Sequence, residues 1–149
     1  MNWIMTVKLR QRLTIAALAV YWPALFWLSH IAVPQAVRSA DVSDKILHFT
    51  AYLLLSFLLW YSCSPAEPLR WGRVKAWLCI LVLICYAFTD EYIQGMTGRS
   101  CDIRDFYADL WGIAAAFGIF SLLRFWHSLL LVTLTAIFLI TNAAESNMS

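Results

Sequence analysis

Long apolar runs, separated by short polar stretches, constrain this chain more than any other feature of its sequence. A helix of about 20 apolar residues crosses the hydrocarbon core of a bilayer. Five runs are predicted to do so: Leu13–Val33, Ile46–Cys63, Ala76–Met96, Phe106–Phe125 and Ser128–Ala143. A helix pairs its own backbone polar groups, as a bilayer requires. We therefore expect an all-α, polytopic transmembrane helix bundle of about five helices, with residues 1–149 as one domain.

Composition supports a membrane protein and argues against a nucleic-acid partner. The chain is 62% hydrophobic and 13% charged, whereas soluble domains carry about 25% charged residues. Its net charge is only +2, and the basic residues are not gathered into one patch. The first apolar run is too long for the core of a signal peptide, and Arg38 spoils the cleavage site, so we predict a retained helix. The four cysteines lack metal-ligand spacing and are interpreted as apolar fillers.

The distribution of lysine and arginine predicts an orientation. With five spans, seven basic residues fall on the side of the N-terminus and four on the other side. Because the cytoplasmic side carries the excess of basic residues, the N-terminus is predicted to be cytoplasmic and the C-terminus outside. The start of the second helix, the end of the third and the start of the fourth then share the extracytoplasmic side.

These three helix ends hold most of the polar side chains of the apolar region. Each contributes residues spaced three or four apart, which share a helix face. The second helix brings Asp44, Lys45, His48 and Tyr52, the third brings Asp90, Glu91 and Gln94, and the fourth brings Asp102, Asp105 and Asp109, with Arg99 in the connecting loop. Ionisable residues in membrane segments usually face a bundle interior or a watery cavity. We therefore predict a polar pocket that opens outward.

Taken singly, most of these residues have ordinary explanations. Asp44 is a partner for a helix dipole, His48 a satisfied core histidine and Tyr52 an interface anchor. Asp102 and Asp105 are suited to capping and to the first turn. Asp109 lies about two turns inside its helix, so capping does not explain it.

Three segments, DKILHFTAYLLL, DEYIQGMTGR and DIRDFYADLWGIAAAFG, resemble the signature segments of the VanZ-like family. The resemblance covers Asp44 to Gly118 and implies a bacterial inner-membrane protein associated with resistance to the glycopeptide teicoplanin. The family commonly has Asn where this chain has Asp109. More distantly, the family resembles membrane enzymes that exchange or hydrolyse lipid head groups, which is an analogy between polar sites.

An enzyme acting on a lipid head group or a lipid-linked cell-envelope intermediate is the first functional hypothesis. The candidate catalytic residues are His48, Glu91, Asp44 and Asp105. His48 is the candidate base or nucleophile, oriented by Asp44 or by a carboxylate of the third helix. The candidate substrate-binding residues are Lys45, Tyr52, Asp90, Gln94, Arg99, Asp102 and Asp109. Oxygen ligands from Glu91, Asp90 and Asp105 suit a divalent cation, Mg²⁺ or Ca²⁺.

The second hypothesis is a non-enzymatic role. The pocket would then bind a lipid head group or a glycopeptide, or its charges would only lock the helices together. A carrier is less favoured, because the sequence shows no inverted repeat. In every case the expected partners are membrane lipids or a lipid-linked envelope precursor.

Overall fold

The computed structural model describes residues 2–30, 41–65, 69–96 and 102–146, without the side chains of residues 2–4, 41–43, 127, 131 and 136–146. Within these ranges the chain forms helices and no β-strand. The helices are α1 (Asn2–His30), α2 (Asp41–Cys63), α3 (Val74–Met96) and α4 (Ile103–Ser146). The predicted all-α architecture is confirmed.

Each of the four helices contains a segment long and apolar enough to cross a membrane. These segments are Met5–His30, Asp44–Cys63, Val74–Met96 and Ile103–Thr135. The chain is thus a multi-pass membrane protein, as its composition indicates. Pro23 lies inside the first of these segments, and α1 continues through it.

The number of helices differs from the prediction, because the expected fourth and fifth helices are one. The sequence around Trp126 has the appearance of a short polar loop, but α4 runs unbroken from Ile103 to Ser146. No Gly or Pro follows Gly118 in this helix, so nothing removes or weakens its backbone hydrogen bonds. At 1.5 Å per residue, its 44 residues extend over about 66 Å.

Contacts between α1 and α2 show that the two helices run antiparallel. Gln11 Nε2 donates to the carbonyl oxygen of Ser62 over 3.0 Å, and Tyr21 Oη donates to that of Ala51 over 3.1 Å. Ser29 of α1 contacts Asp90 of α3, and His48 of α2 contacts Asp109 of α4. The ends of α1 and α3 and the starts of α2 and α4 therefore lie together, at what we call the polar end of the bundle. The opposite end, with Cys63 and Val74, is called the basic end.

Helices α2 and α4 make a close backbone contact near the polar end. A Cβ on Gly112 would clash with the carbonyl oxygen of Phe49 and would stand 3.0 Å from the amide nitrogen of Leu53. Ala116, one turn further along α4, is fully buried. Small residues allow such close packing of membrane helices, and this contact sets the register between His48 and the start of α4.

The core is shared unequally among the helices. Its buried apolar side chains come from α2, α3, α4 and the segment before α3, and include Leu55, Leu83 and Phe117. From α1, only partly buried side chains such as Tyr21 and Leu25 pack against this core. Thus α1 lies at the periphery of a three-helix core.

Candidate functional site

A buried hydrogen bond between a histidine and a carboxylate lies at the centre of the polar end. His48 Nδ1 and Asp109 Oδ1 are 3.0 Å apart, with His48 only 9% exposed and Asp109 fully buried. Because a carboxylate is an acceptor, we assign the proton to His48 Nδ1. The sequence suggested Asp44 or a carboxylate of α3 for orienting this imidazole, whereas the hydrogen bond comes from α4. Asp109, which helix capping left unexplained, now has a structural partner.

Glu91 of α3 completes a group of three side chains from three helices. Ligand atoms of His48, Glu91 and Asp109 all lie within 4.8 Å of one another. Glu91 is 5% exposed, and neither of its carboxylate oxygens has a hydrogen-bond partner among the described residues. The same holds for Asp109 Oδ2. Since buried polar atoms are normally satisfied, this group stands apart from an ordinary helix contact.

A second, shallower group involves the first turn of each of α2 and α4. Ligand atoms of Asp44, His48 and Asp105 also lie within 4.8 Å of one another. Lys45 Nζ is 3.9 Å from Asp105 Oδ1, an ion pair too long for a direct hydrogen bond. His48 thus belongs to both groups and links them.

Asp90 connects α3 to the end of α1. Its Oδ2 accepts from Gln94 Nε2 over 2.9 Å, and its Oδ1 lies 2.9 Å from Ser29 Oγ. His30 Nδ1 is 3.8 Å from the same Oδ1 and 2.9 Å from Ser29 Oγ. Sequence reasoning named Asp90 and Gln94 but missed Ser29 and His30. The available signal was their position at the end of the first apolar run, on the same predicted side as the other polar ends.

Tyr52 occupies the next turn of α2 below His48. It is 1% exposed, and its hydroxyl has no hydrogen-bond partner in the described part of the chain. Its ring lies 5.8 Å from that of Tyr86 on α3. Tyr52 is therefore a buried residue at the floor of the site rather than an anchor at the membrane surface.

Two predicted site residues have a different outcome. Asp102 Oδ1 accepts a hydrogen bond from the backbone amide of Arg104 over 2.9 Å, at the start of α4. This is the capping role that the sequence offered as its ordinary explanation. Arg99 lies outside the described residues.

A cavity of about 480 Å³ lies between α1 and α2 and reaches Asp90 of α3. Its ionisable lining residues Asp44, His48 and Asp90, together with Ser29, belong to the polar end. Leu25 and Leu54 line it deeper in the bundle. At 1.5 Å per residue, the ten positions from Asp44 to Leu54 correspond to about 15 Å along α2. The cavity is therefore polar at one end and apolar at the other.

The part of the chain that matches a known protein family includes the site and most of the helices. No curated protein and no solved structure matches the chain. The sequence model of the VanZ/LLP1 family matches residues 3–124, which include α1, α2, α3 and the polar start of α4. By this match, and with the three signature segments meeting at the polar end, the chain belongs to the VanZ/LLP1 family.

Proposed function

We propose that this protein acts on the head group of a membrane lipid or a lipid-linked cell-envelope intermediate. The observation that carries the proposal is the cavity between α1 and α2, in which His48 and Asp44 lie at the polar end and Leu54 lies deeper. An amphiphile has the same division into a polar head and an apolar chain. Leu28 and Leu47, on the lining of the cavity, are largely exposed, so a lipid would enter sideways from the bilayer.

His48 is the proposed general base or nucleophile. Because Nδ1–H donates its hydrogen bond to Asp109, the lone pair of the other ring nitrogen is available to take a proton or attack phosphorus. Asp109 holds the ring in that orientation, as an oriented base requires. Lys45, and Arg99 between α3 and α4 in the sequence, are the proposed ligands of the phosphate.

The proposed location is the extracytoplasmic leaflet of the bacterial inner membrane. The excess of basic residues in the first turns of α1 and around the α2–α3 connection supports a cytoplasmic N-terminus. Family membership supports a link to the envelope and to teicoplanin resistance. The polar end would then face the lipid-linked precursors of the cell wall.

A lipidomic comparison tests the proposal. Cells with the wild-type protein should differ from cells without it in the amount of at least one envelope lipid or lipid-linked intermediate. His48→Ala should abolish that difference, and the change in teicoplanin sensitivity with it. His127→Ala, a matched histidine substitution about 27 Å along α4 from Asp109 at 1.5 Å per residue, should behave as wild type. Full activity in both His48→Ala and Glu91→Ala would overturn the enzymatic proposal.

A non-enzymatic role has one specific observation in its favour. Asp90 accepts hydrogen bonds of 2.9 Å from Ser29 of α1 and from Gln94 of its own helix. Such a network can hold α1 against α3 without any chemistry. If the polar end only binds lipid or fastens helices, exchanging the charges of Lys45 and Asp105 should preserve the phenotype. Turnover of lipid by the purified protein would exclude this alternative.

A further inference from the structure

His48, Glu91 and Asp109 provide one imidazole nitrogen and two carboxylates, which is a set of metal-binding groups. A histidine that acts alone as a catalyst would not need such a set. Each comes from a different helix, and their ligand atoms lie within 4.8 Å of one another. All three are at least nine-tenths buried. Convergence of one nitrogen and two carboxylates from separate helices is how helix bundles build metal centres.

The carboxylate oxygens provide a second observation. Both oxygens of Glu91 and Oδ2 of Asp109 lack hydrogen-bond partners among the described residues. The hydroxyl of Tyr52, 1% exposed and one helical turn below His48, is likewise unpartnered within the described residues. Two ionised carboxylates this close to each other, inside a membrane bundle, need a positive charge between them. A protonated His48, 3.0 Å from Asp109, would balance only one of the two charges, and Lys45 is paired with Asp105.

We propose that His48, Glu91 and Asp109 bind one first-row transition dication, Mn²⁺ or Zn²⁺. The ion would take the place of the Nδ1 proton between His48 and Asp109. The ring proton would then lie on Nε2, so His48 would act as a base only in the metal-free form. Two carboxylates neutralise the charge of the ion, and the imidazole nitrogen favours Mn²⁺ or Zn²⁺ over Mg²⁺ and Ca²⁺, which prefer oxygen alone. Ligand atoms bound at about 2.1 Å stand at most about 4.2 Å apart. A pair of ligand atoms that now stands near the 4.8 Å limit would therefore approach by about 0.6 Å or more on binding.

The shallower group of Asp44, His48 and Asp105 is the less suitable site. Asp105 already faces Lys45, and Asp44 is only partly buried. A cation there would compete with the lysine for Asp105. Glu91, by contrast, has no competing partner in the described part of the chain.

Binding of Mn²⁺ to the purified full-length protein tests the site without any activity. The protein, in detergent and freed of metal with a chelator, is titrated with Mn²⁺ while electron paramagnetic resonance follows the free ion. We expect saturation at one ion per chain, competition by Zn²⁺ and weak competition by Mg²⁺. Electron spin echo modulation from ¹⁴N should report the imidazole of His48, which an ion held only by surface acids would not produce.

A matched pair of variants locates the ion. Glu91→Gln should weaken binding by at least about tenfold, because it removes one anionic ligand. Glu67→Gln, the same change in the sequence that connects α2 to α3, should leave it unchanged. Asp109→Asn, which introduces the residue common in the family, should also weaken binding and serves if Glu91→Gln does not fold. Absence of saturable binding by the wild type, absence of ¹⁴N modulation, or wild-type affinity in both site variants would overturn the proposal.

The metal site and the lipid proposal can fail separately. Saturable Mn²⁺ binding without any lipid change would support the site and count against the enzyme. Loss of a lipid change in His48→Ala, with no metal bound by the wild type, would support the enzyme and overturn the site.

Discussion

The two ends of the bundle use polar side chains in opposite ways. At the basic end, long side chains donate to backbone carbonyls: Lys75 Nζ to Cys63 over 3.1 Å, and Arg124 to Leu69 over 3.0 Å. Gln11 does the same for Ser62. At the polar end, side chains face other side chains across helices, as His48 faces Asp109.

This difference distinguishes side chains that stabilise the fold from side chains that form the candidate site. Carbonyls at and after a helix C-terminus lack intrahelical partners, so donors such as Lys75 and Arg124 stabilise the fold directly. At the polar end, carboxylate oxygens of Glu91, Asp105 and Asp109 are buried without hydrogen bonds in the described part of the chain. Leaving such atoms unsatisfied costs stability. An arrangement that costs stability is expected where binding or chemistry requires it.

The strongest test of the polar end is to move its two principal helices apart. Gly112→Ala should lower the free energy of unfolding by about 3 kcal/mol, because the new methyl group meets the carbonyl oxygen of Phe49. Activity should fall as well, since the same contact sets His48 opposite Asp109. Thermal unfolding in detergent measures the first effect, and the lipid or teicoplanin readout measures the second.

Gly118→Ala is the matched control in the same helix. No described residue outside its own helix backbone lies within 4 Å of a Cβ at that position. Since Ala is the better helix former, the variant should be as stable as wild type or up to about 1 kcal/mol more stable. Equal destabilisation by both substitutions would mean that helix propensity, and not the α2–α4 contact, governs this part of α4.

A smaller effect of opposite sign is expected when an unsatisfied acid is removed. Glu91→Met, measured with a chelator present, should raise the free energy of unfolding by about 1–2 kcal/mol while abolishing activity. The apolar side chain fills a similar volume and has no charge to desolvate. A lower unfolding temperature would show that Glu91 stabilises the fold, and the contrast between the two ends would fail.

At the basic end, the corresponding change should have the opposite result. Arg124→Met removes the hydrogen bond to the Leu69 carbonyl and should lower the free energy of unfolding by about 1 kcal/mol. Lipid turnover per folded molecule and teicoplanin sensitivity should stay at the wild-type level. Lost activity at unchanged stability would show that the basic end also contributes to function.

Much of the fold could be read from single helices, because its signals are local. Apolar length predicted the spans, and spacing predicted that Asp44, His48 and Tyr52 share a face. The continuity of α4, in contrast, could not be predicted from the sequence. The Trp126 region resembled a loop by its side chains, yet without Gly or Pro the backbone of α4 continues.

The site could be predicted only as a set of residues near one another. Its pairing depends on the register between α2 and α4, which Gly112 sets through a contact with Phe49. Periodicity within α2 holds no information about that register, so Asp109 was not recognised as the partner of His48. Ser29 was missed for the same reason, because only the packing of α1 against α3 brings it to Asp90.

The smallest expected effect on stability belongs to Lys45. Its ammonium is 3.9 Å from Asp105 and its side chain is 28% exposed, so the pair should contribute less than about 1 kcal/mol. Lys45→Gln should therefore leave the unfolding temperature almost unchanged. If Lys45 instead holds a phosphate, the same variant should lower activity by about tenfold or more, and Lys45→Arg should restore part of it, because Arg keeps the charge. Lost activity at unchanged stability would show that Lys45 belongs to the site together with His48. Unchanged activity would show that Lys45, like the polar residues of the basic end, contributes only to the fold.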